Sequence, residues 1–254
     1  CYEHWRRGLS IHEVGILFFL FFIGSCFGSF LNVVIYRVPK KMSIVRPASH
    51  CFACKEPIQI IDNIPILGYF KLNGKCRNCG ATFASRYAFV ELITGVFTLC
   101  IYMINGWNDT FLVYLSLTYL LIAMTFVDID HLIIPNGFVI TGLLILIISV
   151  MMDWVAIDWQ DAMSGAFVFA GFLFAIGLIG QFILGKESIG FGDVKLGLVL
   201  GGFLGTEYSI LALYLSFAIS AIVIFVMLGS KLIDKNAKIP FGPYLAAGTL
   251  IALF

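Results

Sequence analysis

The run GILFFLFFIGSCFGSFLNVVIY, residues 15–36, contains 22 residues and not one charged side chain. At 1.5 Å rise per residue a helix of that length reaches about 33 Å, enough for a hydrocarbon core of about 30 Å. Inside lipid the backbone must satisfy its own polar groups, and the run lacks the alternation of an outer-membrane strand, so the element is a helix. It extends well past the core of a cleavable signal and no small-residue cleavage site follows it, which makes it a retained span. Similar runs recur along the 254 residues, of which 60% are hydrophobic and 12% charged; soluble domains carry about 25% charge. Periodicity and length predict helices at about 13–36, 88–105, 111–127, 137–152, 162–184, 194–205, 208–229 and 241–254, the last too short to span untilted. The expected fold is all-α: a polytopic membrane bundle of seven or eight helices. Residues 1–36 form a tail and the first helix, 37–87 a polar insert, and 88–254 the remaining helices.

Basic residues set the orientation. The insert holds Arg37, Lys40, Lys41, Arg46, Lys55, Lys71, Lys75, Arg77 and Arg86. Counting crossings from there puts the loops 128–136, 185–195 and 230–240 on the same side, with the other five lysines of those loops and their flanks. Loops on the opposite side carry Asp109, Asp153, Asp158, Asp161 and Glu207 and no Lys or Arg. Cationic loops stay in the cytoplasm, so the insert is expected there.

Within the insert, Cys51, Cys54, Cys76 and Cys79 form two C-x-x-C pairs. A two-residue gap lets both thiolates of a pair converge on one ion, and two pairs complete the tetrahedron that zinc prefers. A reducing compartment argues against structural disulfides, and four thiolates leave no open coordination position, so the expected Zn2+ is structural. Folding a loop of this length around so little apolar material is the work such an ion does.

The stretch IGFGDVKL, 189–196, sets Asp193 where an apolar run resumes, and VDIDHLIIPN, 127–136, holds Asp128 and Asp130 at the end of another. Two crossings separate Asp128 from Asp193, so both return to one membrane face. Ionisable groups at such a boundary are functional candidates. Two close carboxyls share one proton, and that pair suits water activation: the ionised acid takes a proton from water while its protonated neighbour polarises a carbonyl. Gly190 and Gly192 permit backbone approaches that a side chain forbids, so the acid can face an extended peptide. Asp130, Asp153, Asp158 and Asp161 are read as solvated interfacial acids.

Taken together, GSFLNVVIYRVP (28–39), the double C-x-x-C, DNIPILGYFKLNGKCRNCG (62–80), SRYAFVELITG (85–95), VDIDHLIIPN, GFGDVKLG (190–197) and IPFGPYLAAG (239–248) resemble the bacterial type IV prepilin peptidases, leader peptidase/N-methyltransferases of the GxGD aspartic class. The resemblance covers nearly the whole chain. It implies an aspartic endopeptidase with Asp128 and Asp193 as catalytic residues, since Asp128 stands seven residues before Pro135 as that family's first acid does. It also implies that 88–254 is the peptidase domain, that the substrates are type IV prepilins or pseudopilins with basic leaders cut after a glycine, and that the enzyme sits in the bacterial inner membrane. Methylation of the new N-terminal residue, usually phenylalanine, by S-adenosylmethionine is implied too, with Gly74 and Lys75 in the methylation-linked segment. Ala88 departs from the family's usual proline at that place. Two other readings of the same acids and cysteines stand beside it: an ion-coupled transporter, and a pilus or secretion scaffold docking through its zinc loop.

Overall fold

A computed structural model describes residues 11–185, 189–234 and 238–254. Among these there is no β-strand, only two isolated bridges, His50 with Pro57 and Lys75 with Thr82. The helices are α1 (Ile11–Arg37), the short α2 (Leu67–Lys71), α3 (Arg86–Asn105), α4 (Asp109–His131), α5 (Asn136–Met151), α6 (Trp159–Leu184), α7 (Phe191–Gly229) and α8 (Gly242–Leu253). Five of them, α1, α3, α4, α6 and α7, are long and apolar enough to cross a membrane, and α5 and α8 are shorter apolar helices. Every expected helix is present, with ends displaced by a few residues. The expected sixth and seventh helices run on as α7 with a break at Gly205, where φ is 66° and ψ −174°. Lys186, Glu187, Ser188, Lys235, Asn236 and Ala237 lie outside the described residues.

The chain divides into two compact units, residues 1–111 and 112–254. In the first, α1 packs along α3. Lipid offers no hydrophobic drive for two apolar helices to associate, so close packing has to supply it, and small residues make that possible. Gly24 and Gly28 of α1 face Thr98, Thr94 and the Glu91 backbone of α3; a Cβ on Gly28 would lie 2.7 Å from the Glu91 Cα. Thr94 and Thr98 return their hydroxyls to Val90 and Thr94 carbonyls of their own helix at 2.6 and 2.7 Å, so both threonines are satisfied within α3. Below the helices, Arg37 is buried and donates to the Ser43 and Pro47 carbonyls at 3.0 and 2.8 Å, which fastens the start of the insert to the end of α1.

In the second unit α7 is the central helix, packed against α5, α6 and α8. The α6–α7 seam is so close that a Cβ on Gly201 would lie 2.2 Å from the Gly165 carbonyl oxygen. At the break in α7, the Thr206 N–H donates to the Asp161 carboxylate at 2.9 Å. Asp158 caps the start of α6, accepting from Asp161 N–H at 2.7 Å. Both acids are exposed, as expected of the interface, yet they have a structural task that the sequence reading did not assign: they satisfy the free N–H groups of one helix start and one restart. The contrast between the α6–α7 seam, where Gly201 of α7 sits, and the open face of α6 is testable. Gly201→Ala is expected to lower the thermal midpoint in detergent, at an overpacking cost of about 1–3 kcal/mol. Gly171→Ala, on a face with nothing within 4 Å, should leave it unchanged.

Candidate active site and metal centre

Asp128 lies in the last turn of α4 and Asp193 in the first turn of α7. Their exposures are 5% and 9%, and the Asp128 charge is an electrostatic neighbour of Asp193. Asp130, two residues on, is exposed, because side chains two residues apart on a helix point about 200° apart and so to nearly opposite sides. The chain after α4 explains the meeting. Leu132 takes a left-handed conformation, φ 53°, and turns the segment leading to Pro135 under the start of α7. There a Cβ on Gly192 would stand 3.2 Å from the Ile134 Cβ. Gly192 therefore lets the post-α4 segment approach α7. Gly190 does the same for its own helix: a Cβ there would stand 3.3 Å from Asp193 Oδ2. Neither glycine has a positive φ; what they supply is space.

Each carboxyl has a backbone amide as partner. Asp193 is the third residue of α7, and the Gly190 amide at the helix start is its hydrogen-bond partner, the back half of a capping box. Asp128 accepts from the Gly242 N–H at 2.8 Å, the first residue of α8. Both acids are thus seated at the amino ends of helices, where unpaired N–H groups and the helix dipole favour negative charge. The Gly242 contact is the element missed from sequence. A backbone donor leaves no side-chain signature, and the one clue is a glycine with Pro243 opening a helix. A Cβ on Gly242 would lie 2.8 Å from Asp128 Oδ2, so only glycine allows this seat. Nearby, Lys195 donates to Asn136 Oδ1 at 3.0 Å, tying the first turn of α7 to that of α5.

In the first unit, the four cysteines come together with their sulfurs all within 4.8 Å of one another. Cys51 and Cys79 are 3.7 Å apart, and Cys54 and Cys76 3.9 Å. A tetrahedron with Zn–S arms of 2.3 Å has edges of about 3.8 Å, so the sulfurs fit a single zinc-sized ion. The two knuckles are the same turn made twice. Cys51 N–H donates to the Glu56 carbonyl at 2.9 Å and Lys55 N–H to the Cys51 carbonyl at 3.0 Å; Cys76 to Ala81 and Gly80 to Cys76 repeat these at 2.8 and 3.0 Å. Lys55 and Gly80 hold the equivalent left-handed position, φ 61° and 72°. The backbone N–H of Cys54 faces the Cys51 sulfur and pulls its thiol down to about 6. The Glu56 N–H pulls Cys54 the same way, but burial and the three other sulfurs outweigh it and push that thiol up to about 11. One thiolate therefore resists the next until a cation sits among them, which is the chemistry of a metal ligand set. Asp62 closes the module: Arg77 Nε donates to it at 2.7 Å, and this hydrogen bond holds its carboxyl below the usual range.

Gly74 and Lys75 precede the second knuckle. Gly74 is buried with φ 66°, and a Cβ would meet the Tyr69 hydroxyl at 2.9 Å. Lys75 is exposed. Left-handed backbone against an aromatic ring accounts for the glycine in full.

The site and fold define a class, an all-helical membrane protein with two paired buried carboxyls and a separate four-cysteine module. The comparisons narrow it. Residues 22–104 match the Bacterial Peptidase A24 N-terminal domain, and residues 115–226 match the Type IV leader peptidase family. A prepilin leader peptidase/N-methyltransferase of Aeromonas salmonicida is 33% identical over 95% of this chain and 92% of its own. One of Pseudomonas aeruginosa is 32% identical over 96% and 92%. One of Myxococcus xanthus is 39% identical over 73% of this chain and 55% of its own. No solved structure matches the chain. The chain belongs to the type IV leader peptidase family. If the cysteines hold one ion, a strong chelator should release one divalent metal per chain and open residues 51–80 to protease, with the membrane helices left intact; a chain carrying no metal and equally resistant would refute the ligand set.

Proposed function

We propose that this chain is an aspartic endopeptidase of the bacterial inner membrane that removes the leader from type IV prepilins or pseudopilins and N-methylates the new chain end. The observation that carries the peptidase is the pairing of Asp128 and Asp193, two buried carboxyls on separate helices with a backbone amide at each. Hydrolysis follows from what each can hold. One carboxyl, ionised, takes a proton from water as the oxygen attacks the scissile carbonyl carbon; the other, protonated, donates to the carbonyl oxygen. Collapse of the tetrahedral species breaks the C–N bond, and the proton taken from water leaves on the amine. Gly190 keeps the space beside the Asp193 carboxyl free of a side chain where an unwound leader would lie, and Gly192 supports that rim by letting the post-α4 segment pack beneath it.

The charge bias along the chain supports a cytoplasmic face for both the acids and the insert, and an acidic pair there suits a basic leader. Zn2+ is the ion that suits the four thiolates, and its part is to hold the insert folded. The methyl donor in this reading is S-adenosylmethionine, which supplies an electrophilic methyl on sulfonium sulfur. Residues 37–87 are then the zinc domain and 88–254 the peptidase domain. An ion-coupled transporter is the weaker alternative, because both acids stand at helix ends and not midway along a crossing.

A synthetic prepilin incubated with purified protein in detergent is expected to lose its leader. Asp128→Asn and Asp193→Asn should each cut that rate by at least about 100-fold; cleavage surviving both would end the proposal. Gly242→Ala should lower it at least about tenfold by displacing the Asp128 carboxyl, while zinc content stays at one per chain. Mass spectrometry of the product reads the cut position and the added methyl together.

A further inference from the structure

The peptidase uses neither Glu91 nor a cavity in the first unit that is lined by Cys26, an electrostatic neighbour of Glu91. Glu91 lies inside α3 and is 9% exposed. Its Oε2 accepts from the Ile66 N–H at 2.7 Å, and the Ser29 hydroxyl is its other hydrogen-bond partner. Both are neutral donors. A carboxylate can accept about four hydrogen bonds, so capacity remains. Ile66 is held unusually. Its φ is 64° and ψ −55°, with Leu67 N–H closing onto the Pro65 carbonyl at 2.6 Å, a γ-turn that a β-branched residue rarely adopts. Strain of this kind collects at ligand sites and is kept by the surroundings that enforce it. Directly beside this turn opens a cavity of about 360 Å³, walled mostly by apolar groups, with Phe22 and Cys26 of α1 and Ala48, Ile64 and Pro65 of the insert, and also by the polar Ser49 and Asn63. The volume is that of a small-ligand site.

Fastening one backbone N–H requires only a neutral acceptor. An acid buried for that purpose alone carries a desolvation cost an amide would avoid. A carboxylate behind an apolar chamber matches a group with a cation at one end and hydrocarbon at the other. We infer that this cavity receives the amino end of the processed substrate, its first side chain against the apolar walls and its ammonium on Glu91. The inference rests on the methyl-transfer reading above and gives that reaction a place in the first unit. Glu91 takes one proton from the ammonium. The freed nitrogen lone pair forms the new N–C bond to the methyl of the sulfonium donor as the C–S bond breaks, its electron pair remaining on sulfur as a neutral thioether. The product is a secondary ammonium, and the proton on Glu91 passes to water.

The test uses full-length protein in detergent and a fluorescent peptide beginning with phenylalanine, compared with the same peptide N-acetylated, both without a methyl donor. Wild type is expected to bind the free amine at least about tenfold more tightly than the acetylated form. Glu91→Gln, which keeps an acceptor for Ile66, should erase that preference, and with donor present should methylate at least about 100-fold more slowly. Retained preference, or methylation at the wild-type rate, overturns the assignment. If Glu91→Gln fails to fold, seen as lost zinc, Ala48→Trp decides: it fills the cavity from an exposed position, and unchanged affinity for the free amine overturns the proposal. Wild type that cleaves prepilin but never methylates the processed peptide would instead sink the methyl-transfer reading, and this site with it.

Discussion

The second unit is organised around a requirement of charge. Two carboxyls are placed at a membrane boundary, away from bulk water, and each must find donors there. Helix starts supply them, since the first N–H groups of any helix lack partners within it. Asp193 takes the amide at the start of its own helix, and Asp128, at the unfavourable carbonyl end of α4, reaches across to the start of α8. Much of the surrounding geometry serves these seats. The left-handed Leu132, the bare Gly192 and Gly242 and the Lys195–Asn136 bond all bring helix ends close enough to meet.

Helices that gather this tightly in lipid have to do so without hydrophobic drive, and the glycine contacts of the α6–α7 seam answer that need. The first unit solves a different problem. Its insert is too polar to build a core, so two knuckles of one hydrogen-bond pattern, the Asp62–Arg77 bond and the buried Arg37 stand in for one. The knuckles differ where Lys55 occupies the position that Gly80 fills in the other. The same left-handed turn is made once by a residue suited to it and once against preference.

Much of this could be read from the chain. Helix bounds follow from apolar length, so the first helix was expected at about 13–36 and runs Ile11–Arg37. The cysteine cluster follows from spacing. The meeting of Asp128 and Asp193 follows from counting crossings, though the count gives only a shared face and not a shared site. What escaped has a common cause. The Gly242 N–H, the Asp161 cap on Thr206 and the Ile66 N–H on Glu91 are all contacts with main-chain donors remote in sequence, 114, 45 and 25 residues away. Every residue carries that donor, so no residue type advertises it. Asp161 in particular reads as a solvated surface acid until the break at Gly205 is known.

The two short helices bear on the lipid as well as on the fold. At 16 and 12 residues, α5 and α8 measure about 24 and about 18 Å along their axes. Asp128 stands seven residues before Pro135, which opens directly into α5 at Asn136, and holds the opening residue of α8. A hydrocarbon layer of about 30 Å overhangs both, so around this rim lipid tails thin or headgroups and water sink inward. Hydrophobic mismatch thereby gives the acids a wet approach without a channel through the protein.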